Sequence, residues 1–127
     1  MQATSSLTLR ALLKSAISRA GLDRPAAITA GLSPPAKALA AVAAARSAPG
    51  VTLLVVPTDK DVEQMVDDAR FFWGAVEGAT EQGVDRAVLP FPSHQVDPYR
   101  GMTPHFRVLS ARARALVGRP SLLILDD

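Results

Sequence analysis

The chain has 127 residues, 48% of them apolar, which is enough to bury the core of one domain without disulfides or structural metals. It has no cysteine, which excludes disulfides, thiolate zinc sites and cysteine nucleophiles and suits a reducing cytoplasm. The net charge is only +2 and every apolar run is shorter than the roughly 18 residues of a membrane span. We therefore expect a single cytoplasmic domain over residues 1–127, with no membrane segment and no strong binding to DNA.

The first 22 residues contain three basic and no acidic side chains, a composition that also occurs in organellar transit peptides. Their apolar residues, however, recur at helical spacing between Leu9 and Ala20 and stop before Gly21. The segment therefore predicts an amphipathic helix that docks on the domain.

Two strands and a helix are predicted next. Residues 26–29 form a short apolar run that is typical of a buried strand. Pro34 and Pro35 are suited to a first helical turn, so an Ala-rich helix is predicted over residues 36–45. Residues 51–56 (VTLLVV) are a continuous run of β-branched residues and Leu, which predicts a strand buried on both faces at the sheet centre.

Thr58 is a good N-cap, and the apolar residues between positions 62 and 73 follow at helical spacing. This pattern predicts a long helix, whose core-facing stripe ends in an aromatic cluster: Phe71, Phe72 and Trp73. Residues 74–85 are polar and contain glycine, so they predict a connection before a third strand at residues 87–89.

Residues 90–103 (PFPSHQVDPYRGMT) hold three prolines and a glycine and predict a long loop. Thr103 and Pro104 have the cap chemistry of a last helix, which precedes a final strand at residues 122–125. The residues of this helix that we expect to point inward are Phe106, Leu109, Ala113, Leu116 and Val117.

The alternation of strands and helices predicts an α/β fold, with a parallel sheet between helices on both faces in a three-layer αβα arrangement. In such folds ligands bind at the carboxyl ends of the strands.

The segment from Gly31 to Ala38 partly matches the phosphate-binding loop G-x-x-x-x-G-K-[ST] and has the strand before it and the helix after it that such a loop needs. Ala36 replaces the second glycine, Ala38 replaces the hydroxyl that ligates magnesium, and only Lys37 remains. Two prolines also remove amide donors from the segment. We interpret it as a degenerate phosphate loop that does not hold ATP and magnesium.

A metal site or a general acid–base set could be assembled from four residues of one segment: His94, Asp97, Tyr99 and His105. Their spacing matches no metal motif and no nucleophile lies in an elbow, so we interpret them as turn residues. We expect no catalytic residue and no metal ligand in this chain.

The last quarter of the chain is basic because of five residues: Arg100, Arg107, Arg112, Arg114 and Arg119. No aromatic residues interleave with them, so we interpret them as part of a solvated helix face and not as a face that contacts phosphates. Asp126 and Asp127 follow an apolar strand as magnesium-binding acids do in nucleotide hydrolases, but without a hydroxyl at position 38 they predict a solvated strand end.

With the elements in this order, residues 7–125 resemble the first α/β part of the UvrB-homology module of bacterial transcription-repair coupling factor (Mfd). Three segments carry the resemblance: TAGLSPPAKALAA, VTLLVVPTDKDVEQMVDDARFF and FPSHQVDPYRGMTPHFRVLSARARAL. The third is the most specific, and its matching residues are Phe91, Pro92, Pro98, Tyr99, Thr103, Pro104, His105 and Arg112.

The degenerate phosphate loop resembles that of the coupling factor more than that of UvrB, because UvrB keeps a loop that binds nucleotide. The resemblance implies a fragment of a larger protein that displaces RNA polymerase stalled at DNA lesions and recruits UvrA for nucleotide excision repair. ATP and magnesium would bind in the motor domains of that parent. This part would be a non-catalytic scaffold that contacts the rest of the parent. Asp126 and Asp127 do not fit the family's continuation.

Two other functions stay open at this point. One is a small nucleotide-binding protein with an unorthodox loop, which would use Lys37 and Asp126. The other is a UvrB-type damage-binding domain, for which the sequence lacks a live loop and an aromatic hairpin.

Overall fold

A computed structural model describes residues 8–24, 29–93 and 106–127 of the chain. It is an α/β fold in which, within these ranges, five helices accompany a three-stranded parallel sheet. The elements in chain order are α1 (Leu9–Ala20), α2 (Pro34–Ser47), β1 (Thr52–Val56), α3 (Asp59–Glu77), α4 (Glu81–Ala87), β2 (Val88–Phe91), α5 (Phe106–Val117) and β3 (Leu122–Asp126). The predicted strand at 26–29, apart from Thr29, and most of the predicted loop at 90–103 lie outside the described residues.

The strand order is β1-β3-β2, so the last strand lies between the other two. Both pairings are parallel, and their registers match, because Leu53 and Leu89 each lie opposite Leu123. Among the described strands the centre is β3 and not β1, which is at the edge. The prediction that residues 51–56 are buried on both faces is wrong, because covered and exposed side chains alternate along β1, and Leu53 and Val55 are 62% and 58% exposed.

The main core lies between one face of the sheet and the helices α2 and α3. Ala38 and Val42 of α2 pack there against Val62 and Val66 of α3, above Ile124 of the central strand. The helices predicted over 36–45 and from Thr58 onward are confirmed, and the aromatic end of α3 is confirmed in part. Phe72 and Trp73 pack against this core, whereas Phe71 is exposed.

The helix α1 packs on a separate small core at the far end of α3. Ile17 lies there with Ala43 and Val76, and Arg10 Nε donates a hydrogen bond to the Val76 carbonyl at 2.9 Å. The helix ends at Gly21, which adopts the left-handed conformation at φ 69°, as its sequence predicted.

The connection predicted over residues 74–85 is wrong, because α3 continues to Glu77 and the short helix α4 follows it. Gly74 lies inside α3, where a Cβ atom would come within 3.2 Å of Val84 Cγ2 on α4. The glycine therefore lets the two helices approach closely and does not break α3. Residues predicted as the third strand at 87–89 are shifted slightly, to Val88–Phe91.

The helix α5 packs on the opposite face of the sheet, over β2. Leu89 and Phe91 alternate with Val88, which belongs to the main core. Arg112 of α5 lies over the Phe91 ring, and Gly118, directly after α5, is so close to Leu89 that a Cβ there would come within 3.3 Å of Leu89 Cδ1. The sheet thus has helices on both faces.

The predicted inward face of α5 is wrong. Phe106, Leu109, Leu116 and Val117 are exposed large apolar side chains, and Ala113 is exposed too. The buried residues of this helix are Val108 and Ala115, which are seven residues apart and therefore lie on one face of the helix.

No helix in the described part of the chain is long and apolar enough to cross a membrane.

The N-cap of α3 gives a first testable prediction. The Asp61 amide donates to Thr58 Oγ1 at 3.3 Å, and the Thr58 hydroxyl donates to Asp61 Oδ2 at 2.7 Å. Replacing Thr58 by Ala removes both bonds, so we expect the free energy of unfolding to fall by about 1 kcal/mol. Urea denaturation checks this value, and Thr58→Ser, which keeps the hydroxyl, should recover most of the loss. An unchanged midpoint for Thr58→Ala would contradict the prediction.

Candidate functional site

The carboxyl ends of the three strands meet at one edge of the sheet. There the Asp127 amide donates to the Val56 carbonyl at 3.0 Å, so the end of β3 is tied to the end of β1. The helix α3 begins at the same edge, directly after β1. This edge is where a parallel α/β fold offers a ligand site.

The segment that we interpret as a degenerate phosphate loop enters α2 beside this edge. Gly31 has a positive φ of 78°, and Ser33 caps the helix while Pro34 and Pro35 occupy its first turn. The Ala36 amide donates to Ser33 Oγ at 3.4 Å, and the Lys37 amide donates to the Ser33 carbonyl at 2.9 Å. These two amides, both in the first turn of α2, thus have partners within the chain.

The two loop residues after Ala36 have opposite environments. Lys37 is exposed, and Ala38 is fully buried in the main core at 0% exposure. Position 38 therefore points between α2 and the sheet, away from the edge at which a magnesium ion would lie.

A groove of about 420 Å³ runs from this loop to the end of β1. Lys37 lines it from α2 and Asp61 lines it from α3, so a cation and an anion share one groove. Leu54, Val56 and Pro57 supply part of its apolar wall. The sequence analysis named Lys37 but missed Asp61.

A second cavity, of about 500 Å³, lies on the other side of α3 and is bounded by β2 and α5. Its lining from α3 is acidic, through Asp59, Glu63 and Asp67, and Arg107 of α5 lines it as well. Asp59 Oδ1 also accepts a hydrogen bond from the Ser93 amide at 3.3 Å, which fixes the chain just after β2.

Three residues of the family-like motif come together in the structure. The Arg112 guanidinium lies over the Phe91 ring, 4.0 Å from its centroid, and Arg112 Nη1 donates to the Pro92 carbonyl at 2.7 Å. Arg112 thus clamps α5 to the end of β2. The other motif residues lie outside the described ranges: Pro98, Tyr99, Thr103, Pro104 and His105.

The remaining candidates are distributed over the surface. Asp126 forms the last residue of β3 and is half-buried, while Arg107, Arg114 and Arg119 are exposed. In residues 8–24, 29–93 and 106–127 no three His, Cys, Asp or Glu side chains cluster as metal ligands do. His94, Asp97, Arg100 and the two motif residues Tyr99 and His105 are outside the described part of the chain.

Comparisons of the chain with protein-family models, with curated proteins and with solved structures find no significant match.

Proposed function

We propose that this chain is a non-catalytic scaffold and interaction module, similar to the first α/β part of the UvrB-homology module of a transcription-repair coupling factor. Its parent would displace stalled RNA polymerase and recruit UvrA. The observation that supports the non-catalytic role most directly is the phosphate loop, whose amides at Ala36 and Lys37 are bonded to Ser33. These two bonds and the two prolines leave the loop with fewer amides to wrap an anion than a working phosphate loop has.

The Phe91–Pro92–Arg112 clamp supports the resemblance. Arg112 lies 20 positions after Pro92, and its contacts with Phe91 and Pro92 give the motif a structural role. An aromatic-Pro step that receives an arginine from the next helix holds the end of β2 in place, which suits a rigid scaffold better than a mobile catalytic loop.

A titration with ATP and magnesium tests the non-catalytic role. We expect isothermal titration calorimetry to detect no binding at micromolar ATP. Pro34 and Pro35 have no amide proton, the Ala36 and Lys37 amides are bonded to Ser33, and position 38 lacks a hydroxyl ligand. The rival nucleotide-binding function is favoured by the groove that Lys37 and Asp61 share. Micromolar binding that is lost in Lys37→Ala and kept in Lys60→Ala, an exposed lysine in the first turn of α3, would establish the rival instead.

The partner side of the proposal needs a separate measurement. We expect immobilised chain to bind the rest of its parent, and to capture UvrA and RNA polymerase only through that parent. We expect no salt-dependent binding of a DNA duplex. Strong DNA binding would favour the UvrB-type damage-binding domain. Reading the native open reading frame is the matching genetic test, because the proposal requires an intact G-x-x-x-x-G-K-[ST] motif downstream of residue 127.

A further inference from the structure

The second face of the sheet and the outer side of α5 form one apolar surface. Leu53 and Val55 of β1 point away from the main core, because they alternate with the core residue Val56 and with Leu54, which packs against that core. Four large apolar side chains of α5 are also exposed. We call these six residues the open apolar surface: Leu53, Val55, Phe106, Leu109, Leu116 and Val117.

The sheet face has room for one more helix beside α5. In register, Leu53, Leu123 and Leu89 form one row across the three strands, and Val55, Leu125 and Phe91 form the next. The helix α5 covers the β2 end of both rows. The strands β1 and β2 are two strand spacings apart, about 9.6 Å, which is the distance at which two helices pack side by side. The part of the face that no described residue covers, which we call the vacant face, is therefore one helix wide.

The exposed residues of α5 occupy two adjoining sides of the helix. Each residue turns the helix by 100°, so positions around the helix axis can be given as angles from Val108, which points inward. Leu109 and Leu116 then lie near 90°, and Phe106 and Val117 lie near 170°. The unit β2–α5–β3 is a parallel strand–helix–strand unit, and such units adopt a right-handed crossover. With this handedness the side of α5 that carries Leu109 and Leu116 faces toward β3 and β1. One side of α5 thus borders the vacant face, and the other points directly away from the sheet.

The exposed area is large enough for a specific interface. Phe106, Leu116 and Val117 are 78%, 72% and 80% exposed. The exposed parts of the six side chains together amount to roughly 700 Å², close to the roughly 800 Å² that each partner contributes to a standard interface. An apolar patch of this size on a monomer marks an interaction site.

We propose that this surface binds a second copy of the chain through a twofold axis that runs parallel to the strands. Each α5 then fills the vacant face of the other copy, so that its Phe106 and Val117 cover the partner's Leu53 and Val55. Leu109 and Leu116 of the two copies meet at the axis, where the two helices run parallel. A single foreign helix on the vacant face would cover Leu109 and Leu116 but would leave Phe106 and Val117 in water. A second copy covers all six residues.

The proposal places Arg107 and Arg114 on the side of α5 that faces away from the axis, near 250°. The arginines of the two copies are therefore kept apart, and like charges do not oppose the association. This inference is independent of the proposed function, since it rests only on the packing of the sheet and α5.

Sedimentation equilibrium of the 127-residue chain tests the oligomeric state. We expect twice the 13.4 kDa mass of one chain at micromolar concentration. Leu116→Lys should weaken the dimer at least about thirtyfold, the effect of losing a central apolar anchor. The matched control is Leu12→Lys, which changes an exposed leucine on α1 outside the surface and should stay dimeric. A monomeric wild-type chain, or a dimer that Leu116→Lys does not weaken while its circular dichroism stays native, would overturn the proposal.

Cysteine cross-linking tests the geometry, and the chain has no native cysteine to interfere. Leu109→Cys should form a homodimeric disulfide under mild oxidation, because the two parallel helices bring both copies of position 109 together within the roughly 4.4–6.8 Å that a disulfide spans between Cα atoms. Leu12→Cys, the control, should not cross-link. A mixture of Leu109→Cys chains and Leu116→Cys chains tests the opposite orientation. If a disulfide forms between the two variants in this mixture, and Leu109→Cys alone does not cross-link, the helices are antiparallel and the parallel arrangement is wrong.

Discussion

Replacing Ala38 by Thr is expected to lower the free energy of unfolding by about 2–3 kcal/mol and to leave the chain unable to bind ATP and magnesium. The substitution restores the hydroxyl of a phosphate loop in sequence. In the structure, however, position 38 is fully buried between α2 and the sheet, among Val42, Val56 and Val62. The new side chain overfills that core and brings a hydroxyl into apolar surroundings.

The matched control for this experiment is Ala44→Thr, because Ala44 is on the same helix and exposed. Thr lowers helix propensity at position 44 as it does at position 38, but position 44 is not buried. We therefore expect the free energy of unfolding to fall by only about 0.5 kcal/mol. Urea denaturation measures both values, and calorimetry measures ATP binding. If Ala38→Thr is as stable as Ala44→Thr and gains micromolar ATP affinity, the loop is competent and the scaffold proposal is wrong.

The second large effect is expected at Arg112. Replacing it by Ala removes the contact with the Phe91 ring and the bond to the Pro92 carbonyl, so the free energy of unfolding should fall by about 2 kcal/mol. Arg112→Lys should recover less than half of this loss, because an ammonium group does not match the planar stacking and the directed hydrogen bond of a guanidinium.

Arg114→Ala is the control, because Arg114 is exposed on the same helix two residues later. It should change stability by less than about 0.5 kcal/mol. Chemical denaturation of the three variants, together with amide exchange at Phe91 and at Ser93, would locate the effect. Equal losses for Arg112→Ala and Arg114→Ala would mean that net charge, and not the clamp, stabilises this end of the sheet.

Local signals in the sequence were sufficient for most helices. Thr58 caps α3, Gly21 ends α1 and two prolines open α2, and each of these residues acts through its own backbone within one turn. Gly74 was misleading for the same reason. Its local preference is against a helix, but the close packing of α4 on α3 at Val84 favours glycine there, and that contact is tertiary.

Strand order and helix orientation could not be predicted in this way. The run at residues 51–56 is as apolar as a central strand, yet β3 takes the centre. The apolar stripe of α5 was found correctly, but it was assigned to the core because sequence periodicity does not say what covers a face. At the candidate site, the sequence singled out Lys37, which lines the groove, whereas the contacts of Arg112 join two elements that are far apart in the chain, β2 and α5.

The position of β3 also has a consequence for how the chain folds during synthesis. The strands β1 and β2 bond to β3 and not to each other, and β3 is made last of the three. The helices α2 and α3 can pack together once they leave the ribosome, but both earlier strands then wait with unpaired backbone groups until residues 122–126 emerge. Pairing of the described strands is therefore a late, long-range step. A nascent chain that stalls before residue 122 would expose two strands whose unpaired backbone groups can pair with other chains.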